Sequence, residues 1–116
     1  MNHVYTYQTL LKLEVLRVLM KHDTGKMLWC DIRESLRPQA WDYAKYIVAT
    51  LGIERQSALE HIAGDALAAL RVSVMVTRNY GRYEVTDFGA EWYERDCFRI
   101  GDNDIFGAPP RWWIDA

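Results

Sequence analysis

The side chains that could carry covalent or metal chemistry in this sequence are two cysteines, three histidines and 16 carboxylates. None is spaced for it. Cys30 and Cys97 lie far apart, and His3, His22 and His61 show no metal-ligand spacing with each other or with the cysteines. No Gly-rich loop is placed to cradle a phosphate, and no serine or cysteine stands in a nucleophile constellation. The carboxylates lack an evident acid–base partner. The chain is therefore expected to bind rather than catalyse, with no cofactor and no metal. Both cysteines are expected to be small buried hydrophobes.

What remains is the chemistry of charge and hydrogen bonding. A chain of 116 residues suits one domain, and a half-apolar composition with 26% charged residues suits a folded one. The formal net charge of -2 argues against binding nucleic acid by bulk charge. That total hides an asymmetry. Residues 1–83 hold 11 Lys/Arg and 8 Asp/Glu, whereas residues 84–116 hold 3 and 8. A mildly basic body thus precedes an acidic tail. The body is suited to an anion and the tail to something else. No stretch approaches a membrane span, and Met-Asn-His-Val-Tyr-Thr lacks a signal-peptide layout, so a cytoplasmic protein is expected.

The elements that must position these charges follow from apolar spacing. Residues 7–21 read as a wide-faced amphipathic helix, with Leu11, Val15, Val18 and Leu19 broadened by Leu10, Leu13, Leu16 and Met20. Lys12, Glu14, Arg17 and Lys21 take the remaining positions. Thr6 or Thr9 can cap its start, and Asp23-Thr24-Gly25 ends it. Residues 26–30 suggest a brief strand, and Asp31 an N-cap for a short helix closed by Pro38. A second helix is predicted over 40–51, with Trp41, Ala44, Ile47, Val48 and Leu51 on one face and Gly52 as its stop. A third runs over 54–71, with Ala58, Ile62, Ala66, Leu67 and Leu70 on one side and a possible break at Gly64. Val72, Val74 and Val76 then alternate as a strand does. Asn79 and Gly81 supply the positive φ of a hairpin turn, and a return strand covers 82–85. Thr86-Asp87 caps a last helix through Cys97.

Two stretches carry a family resemblance. VATLGIERQSALEHI, Val48 to Ile62, resembles a helix-turn-helix: Gly52 makes the turn, Leu51 and Ile53 plug the junction, and the next helix opens with polar residues. ALAALRVSVMVTRNYGRYEVTDFG, Ala66 to Gly89, is similar to the back half of a winged helix-turn-helix domain, including the return signature Tyr83-Glu84-Val85-Thr86-Asp87-Phe88-Gly89. The expected fold is mainly α with a small β-hairpin, in the winged helix-turn-helix arrangement of three to five helices and a two- or three-stranded wing sheet. The domain would span 1–97, with 98–116 an acidic, aromatic extension packed on it or on a partner.

The resemblance implies sequence-specific binding of double-stranded DNA by a small transcriptional regulator of prokaryotic or phage type. Helix 55–71 would enter the major groove, where Arg55 matches guanine and Gln56 adenine, with Ser57 and His61 on base or phosphate. The wing, 77–83, would place Arg78 and Arg82 on phosphates and Tyr80 on sugar, and Lys45 would add a phosphate contact. Pairing 31–37 with 40–51 instead would move the reader helix to 40–51. Glu54, Glu60 and Asp65 on or near the same helix oppose phosphate. A homodimer reading paired half-sites is expected. The alternative is an interaction module, a phage-type inhibitor or adaptor, that meets a protein partner through Phe98, Phe106, Trp112 and Trp113. No residue in the sequence marks a small-molecule pocket.

Overall fold

The computed structural model describes residues 3–52 and 58–100, with the side chains of 3–6, 39 and 96–100 left aside. The first helix, α1, runs over His3–Lys21. Leu10, Leu11, Leu13, Val15, Leu16, Val18 and Leu19 are all buried, so it is enclosed on several sides. Thr6 and Thr9 lie inside the helix, so neither stands at its N-cap position. Packing overrides their capping preference, because buried Tyr7 stacks on Tyr43 across the core.

After α1 the chain reverses at Gly25, whose φ is +69° and whose N–H donates to the His22 carbonyl at 3.1 Å. Strand β1 is only Lys26–Met27. The expected strand over 26–30 stops there because Leu28 is already the extended N-cap of α2, Trp29–Ser35. Asp31 is therefore a first-turn acid favoured by the helix dipole, and not the cap. Cys30 is exposed rather than buried, for the same reason. Pro38 opens α3, Pro38–Leu51, at a position where its missing N–H costs nothing, rather than closing α2. Gly52 ends α3 as expected, with φ +67° and its N–H on the Val48 carbonyl.

Helix α4 covers Ala58–Val72 and is continuous through Gly64. Its predicted stripe is buried in full: Ala58, Ile62, Ala66, Leu67 and Leu70. Ile53 and the first predicted residues of this helix, 54–57, fall outside the described residues. The alternating valines do not make one strand. Val72 is still helical, and the helix closes with Val74 N–H on the Arg71 carbonyl at 3.0 Å and Met75 N–H on the Leu70 carbonyl at 2.9 Å. This is a Schellman closure with Val74 at φ +62° where glycine is usual.

Strands β2, Val76–Asn79, and β3, Arg82–Val85, form the hairpin. The antiparallel sheet has the order β1-β3-β2, with Met27 opposite Tyr83 and Arg78 opposite Tyr83. The turn is Tyr80-Gly81, at φ +52° and +78°. Asn79 pairs with Arg82 and so belongs to the strand, which shifts the left-handed position onto Tyr80. Helix α5 follows over Asp87–Ile100. Thr86 caps it, its Oγ1 accepting the Gly89 N–H at 3.0 Å and donating to the Val74 carbonyl at 2.6 Å. The protein is thus mainly helical with a small three-stranded antiparallel sheet. No helix among the described residues is long and apolar enough to cross a membrane.

Candidate nucleic-acid interface

The hairpin brings three of the predicted residues together. Arg78 lies on β2, Tyr80 at the turn and Arg82 at the start of β3. Because Arg78 faces Tyr83 across the ladder and Arg82 precedes Tyr83, the two arginines project from opposite faces of the ribbon. Tyr80 is fully exposed at the tip, on left-handed backbone.

Arg71 joins this group, and sequence reading missed it. It sits in the last turn of α4, with its guanidinium carbon 6.0 Å from the Tyr83 ring centroid. Arg78 lies 5.7 Å from the same centroid. One aromatic ring thus holds two guanidinium groups in place, an arrangement favoured by the ring quadrupole. Arg71 and Arg78 line an open groove of about 630 Å³ between α4 and β2, with Ala68, Val76 and Thr77. The signal available was the pairing of a helix-end arginine with a strand arginine across a chain reversal.

Charge pairing separates these cations from the others. Among the described residues, no carboxylate lies in ion-pair range of Arg71, Arg78 or Arg82. Lys45, on the exposed side of α3, has Asp42 at 3.9 Å. His61, exposed on α4, has Asp65 at 3.4 Å. Glu60 is taken by Arg33 of α2 at 3.1 Å. Both described acids of α4 that oppose phosphate are therefore engaged locally. Lys45 and His61 stand on different helices and are not part of the hairpin group. Arg55, Gln56 and Ser57 lie outside the described residues, as do Phe106, Trp112 and Trp113. Phe98 falls on the backbone of α5, with its side chain outside the description.

The helix junction departs from expectation at Leu51. It was expected to plug the angle between the second and third predicted helices, yet it is 52% exposed. Tyr43, Ala44 and Ile47 bury the inner face of α3 instead. A polar contact adds to this apolar packing of α3 against α1. Glu14, buried on α1, accepts hydrogen bonds from Arg17 Nη2 at 3.1 Å, the Arg37 backbone N–H at 2.8 Å and Arg37 Nη2 at 2.9 Å. Burial pushes its carboxyl up, but the hydrogen bonds from Arg17 and Arg37 outweigh this and hold it below the ordinary value. Nearby Tyr43 is pushed up to about 12, first by burial and then by the Glu14 charge. The polar positions of α1 had given no sign of this buried triad.

No family model, curated protein or solved structure matches the chain.

Proposed function

We propose that this chain is a winged-helix protein that binds duplex DNA, as a transcriptional regulator of the bacterial cytoplasm or of a phage. Its element order supports the reading. A short strand after α1 pairs with a hairpin that directly follows α4, an order that suits α4 rather than α3 as the reader helix and the hairpin as the wing. The single observation that carries it is that, among the described residues, Arg71, Arg78 and Arg82 have no carboxylate partner: Arg71 and Arg78 share the Tyr83 side of the hairpin, and Arg82 lies on its other face. A protein of net charge -2 that leaves cations unneutralised on both faces of one hairpin is suited to meet an anion there.

Phosphate contact would come from this group, with Tyr80 against sugar. Base readout would fall to Arg55, Gln56 and Ser57 at the start of the reader helix, with His61 one turn on. In a homodimer, two reader helices would enter successive major grooves about 34 Å apart.

The test is binding to random-sequence duplex over a salt series. Affinity should fall linearly with salt on logarithmic axes, and each arginine changed to glutamine should lower the slope by about 0.9. Absence of binding at low salt, or a slope unchanged in the triple variant, would overturn the reading.

A second reading rests on a different observation. Val72, Val74 and Phe88 are exposed apolar side chains, at 85%, 61% and 51%, around the same sheet edge. Such a surface suits a protein partner, with the aromatic tail as a further contact. A pull-down retained by the triple glutamine variant and lost on truncation after Ile100 would favour it.

A further inference from the structure

Between α1 and α4 lies a pocket of about 390 Å³ whose described lining shares His61 alone with the proposed DNA contacts. Its floor is apolar, made by Leu11, Ile62, Ala66 and Ala69. Leu51, half exposed at the end of α3, also lines it. The α1 rim carries Lys12, and the α4 rim carries His61 and Asp65.

The charges on this rim are unequal. Asp65, largely exposed, has His61 Nε2 at 3.4 Å, a contact that pairs charges only when the imidazole is protonated. Lys12 is half buried, and no carboxylate among the described residues pairs with it. An ammonium without a carboxylate partner beside an apolar floor favours a ligand with one anionic end and one apolar end. The volume matches a molecule of small-effector size.

We infer that this pocket binds a small amphipathic monocarboxylate. Its carboxylate sits on Lys12 Nζ, and its hydrocarbon body lies across Leu11, Ile62 and Ala69 beside Leu51. A cationic amphiphile of the same length would bring its charge against the Lys12 ammonium in the same pocket. The ligand would touch the flank of α4. If α4 is the reader helix, occupancy shifts its seating on α1 and changes affinity for DNA, a consequence that rests on the proposed function.

Isothermal titration of the full chain with decanoate and with decylamine tests the site without DNA. Decanoate should bind at one site and decylamine at least tenfold more weakly. Lys12→Gln should weaken decanoate roughly tenfold, as loss of one charge-assisted contact does. Ala69→Leu, which fills the floor from a partly exposed position, should abolish binding while leaving the circular dichroism unchanged. Failure of decanoate to bind, equal binding of the two amphiphiles, or unchanged affinity in Lys12→Gln would each overturn the assignment. Repeating the duplex titration with decanoate present separates the two readings. Decanoate binding by a chain that never binds DNA defeats the DNA reading and leaves the pocket standing. Decanoate binding that leaves DNA affinity unchanged defeats the coupling.

Discussion

Glu14 on α1 holds Arg37 by both backbone and side chain, accepting the main-chain N–H at 2.8 Å and the guanidinium Nη2 at 2.9 Å. Arg37 is the residue that links α2 to α3, and it is the N-cap of α3. The carboxylate therefore does the work a capping side chain would do, but from another helix. It fixes where α3 begins and ties that start to the central helix. Breaking a buried charge cluster by removing one member leaves the others uncompensated, at a cost of about 3 kcal/mol. Glu14→Gln should lower stability to urea by about that amount, with little change in the native far-ultraviolet spectrum. A loss under about 1 kcal/mol would show that Arg17 and Arg37 find water instead.

The same carboxylate gives the fold an acid dependence of defined sign. Its folded value lies below 4.5. The stability it contributes is present above the unfolded value and is lost as the pH falls through the folded one. Denaturant midpoints should therefore drop on acidification below about pH 5, and drop less steeply in Glu14→Gln. Parallel curves for the two proteins would remove Glu14 as the cause.

Tyr43 works in the opposite direction, at the alkaline end. Burial and the nearby Glu14 charge raise it from 10.0 to about 12. A phenol raised in the folded state contributes stability that is complete below 10 and is lost as the pH rises through 12. Spectrophotometric titration should show an ionisation near 12 that is missing in Tyr43→Phe, provided the chain remains folded there by circular dichroism. Its persistence in Tyr43→Phe would assign it elsewhere.

Thr86 and Gly89 lock the start of α5 onto the end of α4. A Cβ on Gly89 would stand 2.1 Å from the Met75 carbonyl oxygen, a backbone atom that cannot swing aside. The Thr86 hydroxyl caps α5 and reaches Val74. Thr86→Val should cost about 1–2 kcal/mol, as a lost cap does. Gly89→Ala should cost about 3 kcal/mol through overpacking. The Thr-x-x-Gly signature thus has a local physical meaning: a cap followed by a close approach. An alanine variant as stable as the parent would mean that α5 can slide on Met75.

Which parts of this were legible in the sequence follows from the range of the forces involved. The α4 stripe from Ala58 to Leu70 was readable because a 3.6-residue period is written locally, and Gly52 because its φ of +67° strongly favours a residue without Cβ. The Val72–Val76 segment was not, because its path is set by Thr86 and Gly89 from beyond the hairpin. Glu14 looked like a surface acid, since its partner Arg37 lies 23 residues away. Arg71 escaped for the same reason, since only the folded sheet brings Tyr83 beneath it. Arg78, Tyr80 and Arg82 were found because a two-residue hairpin places neighbours in sequence close in space.

Val74 and Tyr80 both sit on left-handed backbone that side chains with a Cβ avoid, at φ +62° and +52°. They differ in what the strain accompanies. Val74 closes a helix, so Val74→Gly should be neutral or stabilising by up to about 1 kcal/mol, the relief of strain exceeding the added entropy of the unfolded chain. Tyr80 occupies the first position of a turn that favours asparagine. Tyr80→Asn should likewise raise the melting temperature. Yet Tyr80 is the most exposed aromatic side chain of the hairpin, beside Arg78 and Arg82. Strain retained together with exposure is expected where a side chain meets a ligand. On the DNA reading, Tyr80→Asn therefore stabilises the protein while weakening duplex binding about threefold to tenfold, with the salt slope unchanged because no charge is lost. A variant that gains stability and keeps full DNA affinity would remove Tyr80 from the interface and leave the arginines as its only wing contacts.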